Sequence, residues 1–155
     1  MYKRILLAYD GSESGKRALL ECGDVVNLTG ATVKLLAVTP TMPPVYVGEG
    51  FIPADMIDTE KERYRKVLEE GIAYLKDRGF AAEGEVTFGE AVDEIDRAAM
   101  EWNADLIIVG HRRTSNWAER WWRGSVSRSL VEVAHCSVLV AVIQEEKKAA
   151  KNKAA

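Results

Sequence analysis

Apolar residues in this chain gather in short continuous runs, and between the runs they recur every three or four positions. Residues 4–9 and 32–38 are such runs, and Ala18, Leu19, Cys22, Val25 and Val26 share one helical stripe between them, which predicts a βαβ unit. Residues 39–53 lose the periodicity and carry Pro40, Pro43, Pro44, Gly48, Gly50 and Pro53, the composition of a surface loop. A longer helix then gathers Tyr64, Val67, Leu68, Ile72 and Leu75 and stops at Gly79, a left-handed cap. Val86 to Phe88 predict a short edge strand, followed by a helix that buries Ile95, Ala98, Ala99 and Trp102. Leu106 to Val109 read as a central parallel strand that ends at Gly110, where the chain turns into an Arg- and Trp-rich loop. The last helix carries Val126, Leu130, Val133 and Ala134, and Val138 to Ile143 form a fifth, continuously apolar strand.

Strands alternating with helices predict an α/β fold: an open five-stranded parallel sheet of order 3-2-1-4-5, Rossmann-like, with helices on both faces. Residues 1–143 make this one domain, and residues 144–155 form a charged, flexible tail. In that order the chain reverses direction between the first and fourth strands. The loops at Asp10 and Gly110 then flank one crevice, the place where open α/β sheets hold ligands.

The charge of the chain narrows its partners. A net charge of −3 argues against general nucleic-acid or membrane-surface binding, which depends on basic patches. That charge is uneven, because residues 111–128 hold five Arg against one Glu and leave an acidic remainder. No apolar run reaches transmembrane length, and the amino terminus lacks a signal-peptide core, so a cytoplasmic location is expected. Cys22 and Cys136 have neither metal-ligand nor C-x-x-C spacing; buried reduced thiols and no metal site are expected.

Gly124-Ser125-Val126-Ser127 opens the last helix, and unpaired N–H groups at such a start favour phosphate or carboxylate. Arg112, Arg113, Arg120 and Arg123 could pair with phosphate oxygens. They could equally be solvated charges around Trp117, Trp121 and Trp122 filling a subunit or helix contact. Asp10 either pins the turn after the first strand or faces a ligand. His111 follows the fourth strand with no partner visible in the sequence, whereas His135 reads as structural. Phosphate-loop, dinucleotide and nucleophile-elbow signatures are missing, and no acid/base pair falls on one site. No catalytic residue is nominated, and hydrolysis of a bound nucleotide would at most be slow.

Three segments carry a family likeness: Ile5-Leu6-Leu7-Ala8-Tyr9-Asp10-Gly11-Ser12, Gly124-Ser125-Val126-Ser127 and His135-Cys136-Ser137-Val138-Leu139-Val140. From Lys3 to about Ile143 the chain resembles the universal stress protein family. That resemblance implies a homodimeric stress sensor or regulator that binds an adenine nucleotide, ATP, with Mg²⁺ as its companion. The implied nucleotide site comprises Ala8, Tyr9, Asp10, Val38, Val109, Gly110, Arg113, Gly124, Ser125, Val126 and Ser127. Asp10 would lie near the adenine end, the Val38 backbone would read the adenine edge, and Gly124-Ser125 would face phosphate. The implied dimer contact is antiparallel pairing of Val138, Leu139, Val140, Ala141 and Val142, with a further protein partner not named by the sequence.

The central motif departs from the family pattern. Nucleotide-binding members carry G-x2-G-x9-G-[ST], and this chain reads Gly110-x2-Arg113-x10-Gly124-Ser125. Arg113 replaces a close backbone contact with a β-carbon and a guanidinium, so charge pairing is expected to substitute for it. The alternative is a dimer of the same fold that acts through protein contacts without nucleotide.

Overall fold

The computed structural model describes residues 1–39, 54–113 and 126–144. The expected loop after Thr39, the Trp-rich part of the second loop with Gly124 and Ser125, and the tail from residue 145 lie outside the described residues. Within them run β1 (Arg4–Ala8), α1 (Glu13–Thr29), β2 (Thr32–Thr39), α2 (Ala54–Lys76), β3 (Ala82–Phe88) and α3 (Ala91–Trp102). They are followed by β4 (Leu106–Arg113), α4 (Val126–Val133) and β5 (Ser137–Gln144).

A strand covered on both faces has no polar side to show, and β1 carries Ile5, Leu6 and Leu7 with no exposure at all. It lies at the centre of a parallel sheet of order β3-β2-β1-β4-β5, as expected. Ile5, Leu7, Leu35 and Ile108 pack on one face beneath α1 and α2. Leu6, Leu36, Ile107 and Val109 pack on the other with Ile95, Ala98 and Ala99 of α3 and Leu130 of α4. The stripes of α1, α2 and α3 fall where the periodicity put them, with Val25, Tyr64, Val67, Ile72 and Trp102 half-buried at their margins. On α4 only Leu130 is fully buried, and Val126 and Val133 of the expected stripe are exposed.

Gly79, at φ +82°, closes the helix end as expected: Phe80 N–H donates to the Leu75 carbonyl at 3.1 Å, and Gly79 N–H to Lys76 at 2.9 Å. Asn103 takes the same left-handed conformation after α3, a position the sequence pattern did not single out.

β3 and β4 run well beyond their expected bounds. β3 starts at Ala82 rather than Val86, because Glu83, Gly84 and Glu85 interrupt the apolar pattern for reasons that lie elsewhere in the fold. Lys34 on β2 bridges Glu83 and Glu85 at 3.4 and 3.3 Å and stands over the Trp102 ring at 5.4 Å. Gly84 lets α2 approach, since a β-carbon there would lie 2.9 Å from Ile72 and 3.0 Å from the Leu35 carbonyl. The fourth strand does not end at Gly110. β4 continues to Arg113, held in register by β5 from Leu106↔Ser137 to Arg113↔Gln144.

A charged lattice joins α3 to the β3 edge. Arg97 holds Glu94 and grips Glu101 through two contacts of 2.8 and 2.9 Å, and Thr87 donates to Glu94. Arg97 first, and Thr87 second, hold the Glu94 carboxyl below its ordinary value of 4.5. The folded value lies below the unfolded one, so this contribution to stability is complete above 4.5 and fades as pH falls through the folded value. Glu94→Gln is therefore expected to lower the urea midpoint at neutral pH and to flatten its decline under acid. An unchanged midpoint and slope would contradict this.

Candidate functional site

The crevice is built where β1 and β4 lie side by side and their connections leave in opposite directions. Asp10 follows β1 immediately. Its Oδ1 accepts the Ser12 N–H at 2.9 Å and the Ser12 hydroxyl at 2.5 Å, and the Ser12 Oγ accepts the Gly15 N–H at 3.1 Å, capping α1. Asp10 thus fulfils the turn-pinning expectation with one oxygen. The residue is exposed, and Oδ2 carries no hydrogen bond to the described residues.

Ala8, Val38 and Val109, from three adjacent strands, pack in one cluster on the α3 and α4 face. Tyr9 goes elsewhere. Its N–H donates to the Leu36 carbonyl at 2.9 Å, and its buried ring belongs to the α1 and α2 core. Burial first, then the charges of Glu70 and Asp10, raise the proton affinity of its phenol. Its side chain is a core residue, set apart from the Ala8, Val38 and Val109 cluster.

Gly110 lies inside β4, opposite Ala141, and does not turn the chain. Its missing side chain serves a close approach: a β-carbon would strike the Ser14 carbonyl and come 2.8 Å from the Gly15 nitrogen. The first turn of α1 rests directly on β4 at this point. Glycine is needed for packing before any ligand arrives.

His111 does have a partner, one the sequence separation concealed. Its Nδ1 lies 3.2 Å from the Oγ of Ser127, which is 7% exposed in the first turn of α4. This contact joins the end of β4 to the start of α4 across the intervening segment. Val126 opens α4 and is 37% exposed. Arg113 ends β4, with its backbone opposite Gln144.

His135 is structural, as expected, and its Nδ1 lies 3.1 Å from Asp96 on α3. Burial pushes the Cys22 thiol up to about 12 and also raises that of Cys136, with Asp96 and Asp105 adding to the latter. Neither is a reactive thiolate. Among the described residues there is no cluster of three or more metal-ligating side chains, and no helix is long and apolar enough to cross a membrane. A hollow of about 570 Å³ between Phe80, Trp102, Arg4 and Lys76 opens at the opposite, amino-terminal end of the sheet and holds none of the expected site residues.

Fold and crevice define an open, doubly wound α/β domain of the Rossmann-like class. The chain belongs to the universal stress protein family, whose sequence profile matches residues 1–141. A universal stress protein of Thermus aquaticus is 35% identical over 142 residues, covering 90% of this chain and 98% of the relative. A family structure from Burkholderia pseudomallei is 26% identical over 90% of this chain and 95% of its own, with a TM-score of 0.72. The same fold appears in an Arabidopsis thaliana member with AMP bound, 20% identical over 90% of this chain and 91% of its own, TM-score 0.66. It appears also in an Archaeoglobus fulgidus member in complex with dAMP, 22% identical over 90% and 97%, TM-score 0.62.

Gly110→Ala tests the packing role. Backbone atoms of α1 cannot retreat as a side-chain tip can, so a loss of about 1–3 kcal/mol in chemical denaturation is expected. Unchanged stability would show that α1 does not bear on β4 there.

Proposed function

We propose that this protein binds an adenine nucleotide, ATP, in the crevice between β1 and β4 and works as a homodimeric, cytoplasmic stress sensor or regulator. One observation carries the reading: Ala8, Val38 and Val109 share one apolar cluster near the carboxyl ends of three adjacent strands, the same end of the sheet at which Asp10 follows β1 and His111 meets Ser127. Apolar side chains at that end of the sheet suit a base, and the polar groups there suit a nucleotide's sugar and phosphates. Family structures that hold AMP and dAMP support this choice of ligand. The phosphates would meet Gly124, Ser125, Val126 and Ser127, and Mg²⁺ would enter on phosphate oxygens, as it does where the protein offers few carboxylates. Binding rather than turnover is the proposed activity.

Arg113, standing where nucleotide-binding relatives carry glycine, favours a second reading: a dimer that acts through protein contacts alone. Calorimetry with ATP separates the two. The first reading expects binding that weakens with salt and prefers triphosphate over monophosphate. Gly124→Val is expected to abolish it and Arg113→Ala to weaken it. Absence of binding by the native protein would favour the second reading, and tighter binding by Arg113→Ala would show that the side chain obstructs the site.

Assembly follows from the two sheet edges. β3 carries Glu83 and Glu85 at its edge, whereas β5 presents Val138, Leu139 and Val140 half-buried and Val142 47% exposed. An apolar, uncharged edge invites pairing, and two copies of β5 would satisfy each other antiparallel about a two-fold axis. Sedimentation is expected to find a dimer that Val140→Pro or Val142→Lys dissociates. A native monomer, or a dimer indifferent to both changes, would contradict it.

A further inference from the structure

We infer that the hollow at the amino-terminal end of the sheet is a second ligand site, and that it takes a small aromatic carboxylate. This site stands apart from the nucleotide reading, because none of the crevice residues lines the hollow.

The hollow forms where β1, β2 and β3 begin and where α2 and α3 end. Its volume of about 570 Å³ is of the size that holds a small organic ligand. Phe80, which leads into β3, and Trp102, which ends α3, supply aromatic lining from two different elements, and both residues are half-buried. Trp102 is held twice: Lys34 stands over its ring at 5.4 Å, and the Arg4 guanidinium donates to its carbonyl at 3.0 Å. Aromatic lining of this kind suits a flat apolar ring.

Charge decides which polar group the ring should carry. Four charged side chains line the hollow, and the two acids already have partners: Lys34 lies 3.4 Å from Glu83, and Arg97 lies 2.8 Å from Glu101. The two cations do not. Lys76 makes no ion pair with a described residue, and the Arg4 guanidinium meets only the neutral Trp102 carbonyl. Helix carboxyl ends would attract a cation if their carbonyls were free, but the last four of α2 are occupied. Those of Ala73, Leu75 and Lys76 accept the N–H groups of Asp77, Arg78 and Gly79, and that of Tyr74 accepts the Arg78 guanidinium. The unanswered charge in the hollow is therefore positive. A carboxylate can accept from Lys76 and Arg4, whereas an ammonium group would have to displace Lys34 or Arg97.

The test is an NMR titration of the intact, isotope-labelled protein with three probes that share one ring system. Naphthoate, naphthalenemethanol and naphthylmethylamine present an anion, a neutral group and a cation at neutral pH. Naphthoate is expected to shift the Trp102 indole N–H and the amides from Phe80 to Glu83, and to bind more tightly than the alcohol by about threefold or more. The amine should bind most weakly of the three. Lys76→Gln, a change at an exposed side chain, should weaken naphthoate by about threefold and leave the alcohol unchanged. An alcohol or amine that binds as tightly as naphthoate would overturn the inference, since the two cations would then not set the preference of the hollow. Naphthoate that shifts no signal around the hollow at millimolar concentration would overturn it too, as would Lys76→Gln that binds naphthoate as the native protein does. The comparison among probes needs no variant, so it stands whether or not the substitution is tolerated.

Discussion

The seating of α1 on β4 at Gly110 is the contact on which the rest of the arrangement depends. Ser12 caps α1, Asp10 holds Ser12, and the first turn of the helix then meets β4 where no side chain stands in the way. That contact sets where the first turn of α1 sits against the carboxyl end of β4. Ala8 and Val109 are brought to one face by the pairing of β1 with β4, and Val38 joins them from β2. The crevice thus depends on this strand pairing and on how α1 begins.

Polar groups at this end of the sheet already serve the structure. Asp10 uses Oδ1 on its own turn and keeps Oδ2, and Ser127 is buried on a histidine while standing in the first turn of α4. In the proposed site, such bonds would hold these groups in place before a ligand arrives and so lower the ordering cost of binding. At the two edges of the sheet the chemistry is opposed: Lys34, Glu83 and Glu85 discourage pairing at β3, and nothing comparable stands among the described residues of β5.

Much of the fold was legible in the sequence, because parallel strands buried on both faces leave continuous apolar runs, and helices that cover them leave stripes. The alternation of strands and helices and the buried faces of α1, α2 and α3 followed from that. The start of β3 was hidden because Gly84 answers to α2 and its glutamates to Lys34, contacts between residues far apart in sequence. Gly110 was legible as an important glycine but not in its role, since a turn and a close approach both select glycine and only the neighbouring backbone distinguishes them. His111 and Ser127 were each singled out, yet their pairing spans β4 to α4 and leaves no local spacing to read.

The central claim, that the crevice is a nucleotide site built on a preformed scaffold, is tested most directly by the small molecules the purified protein carries. Mass spectrometry of the supernatant after denaturation should recover an adenine nucleotide in amounts comparable to the protein, or should do so after incubation with ATP and removal of the excess. Recovery of no nucleotide under either condition would contradict the account.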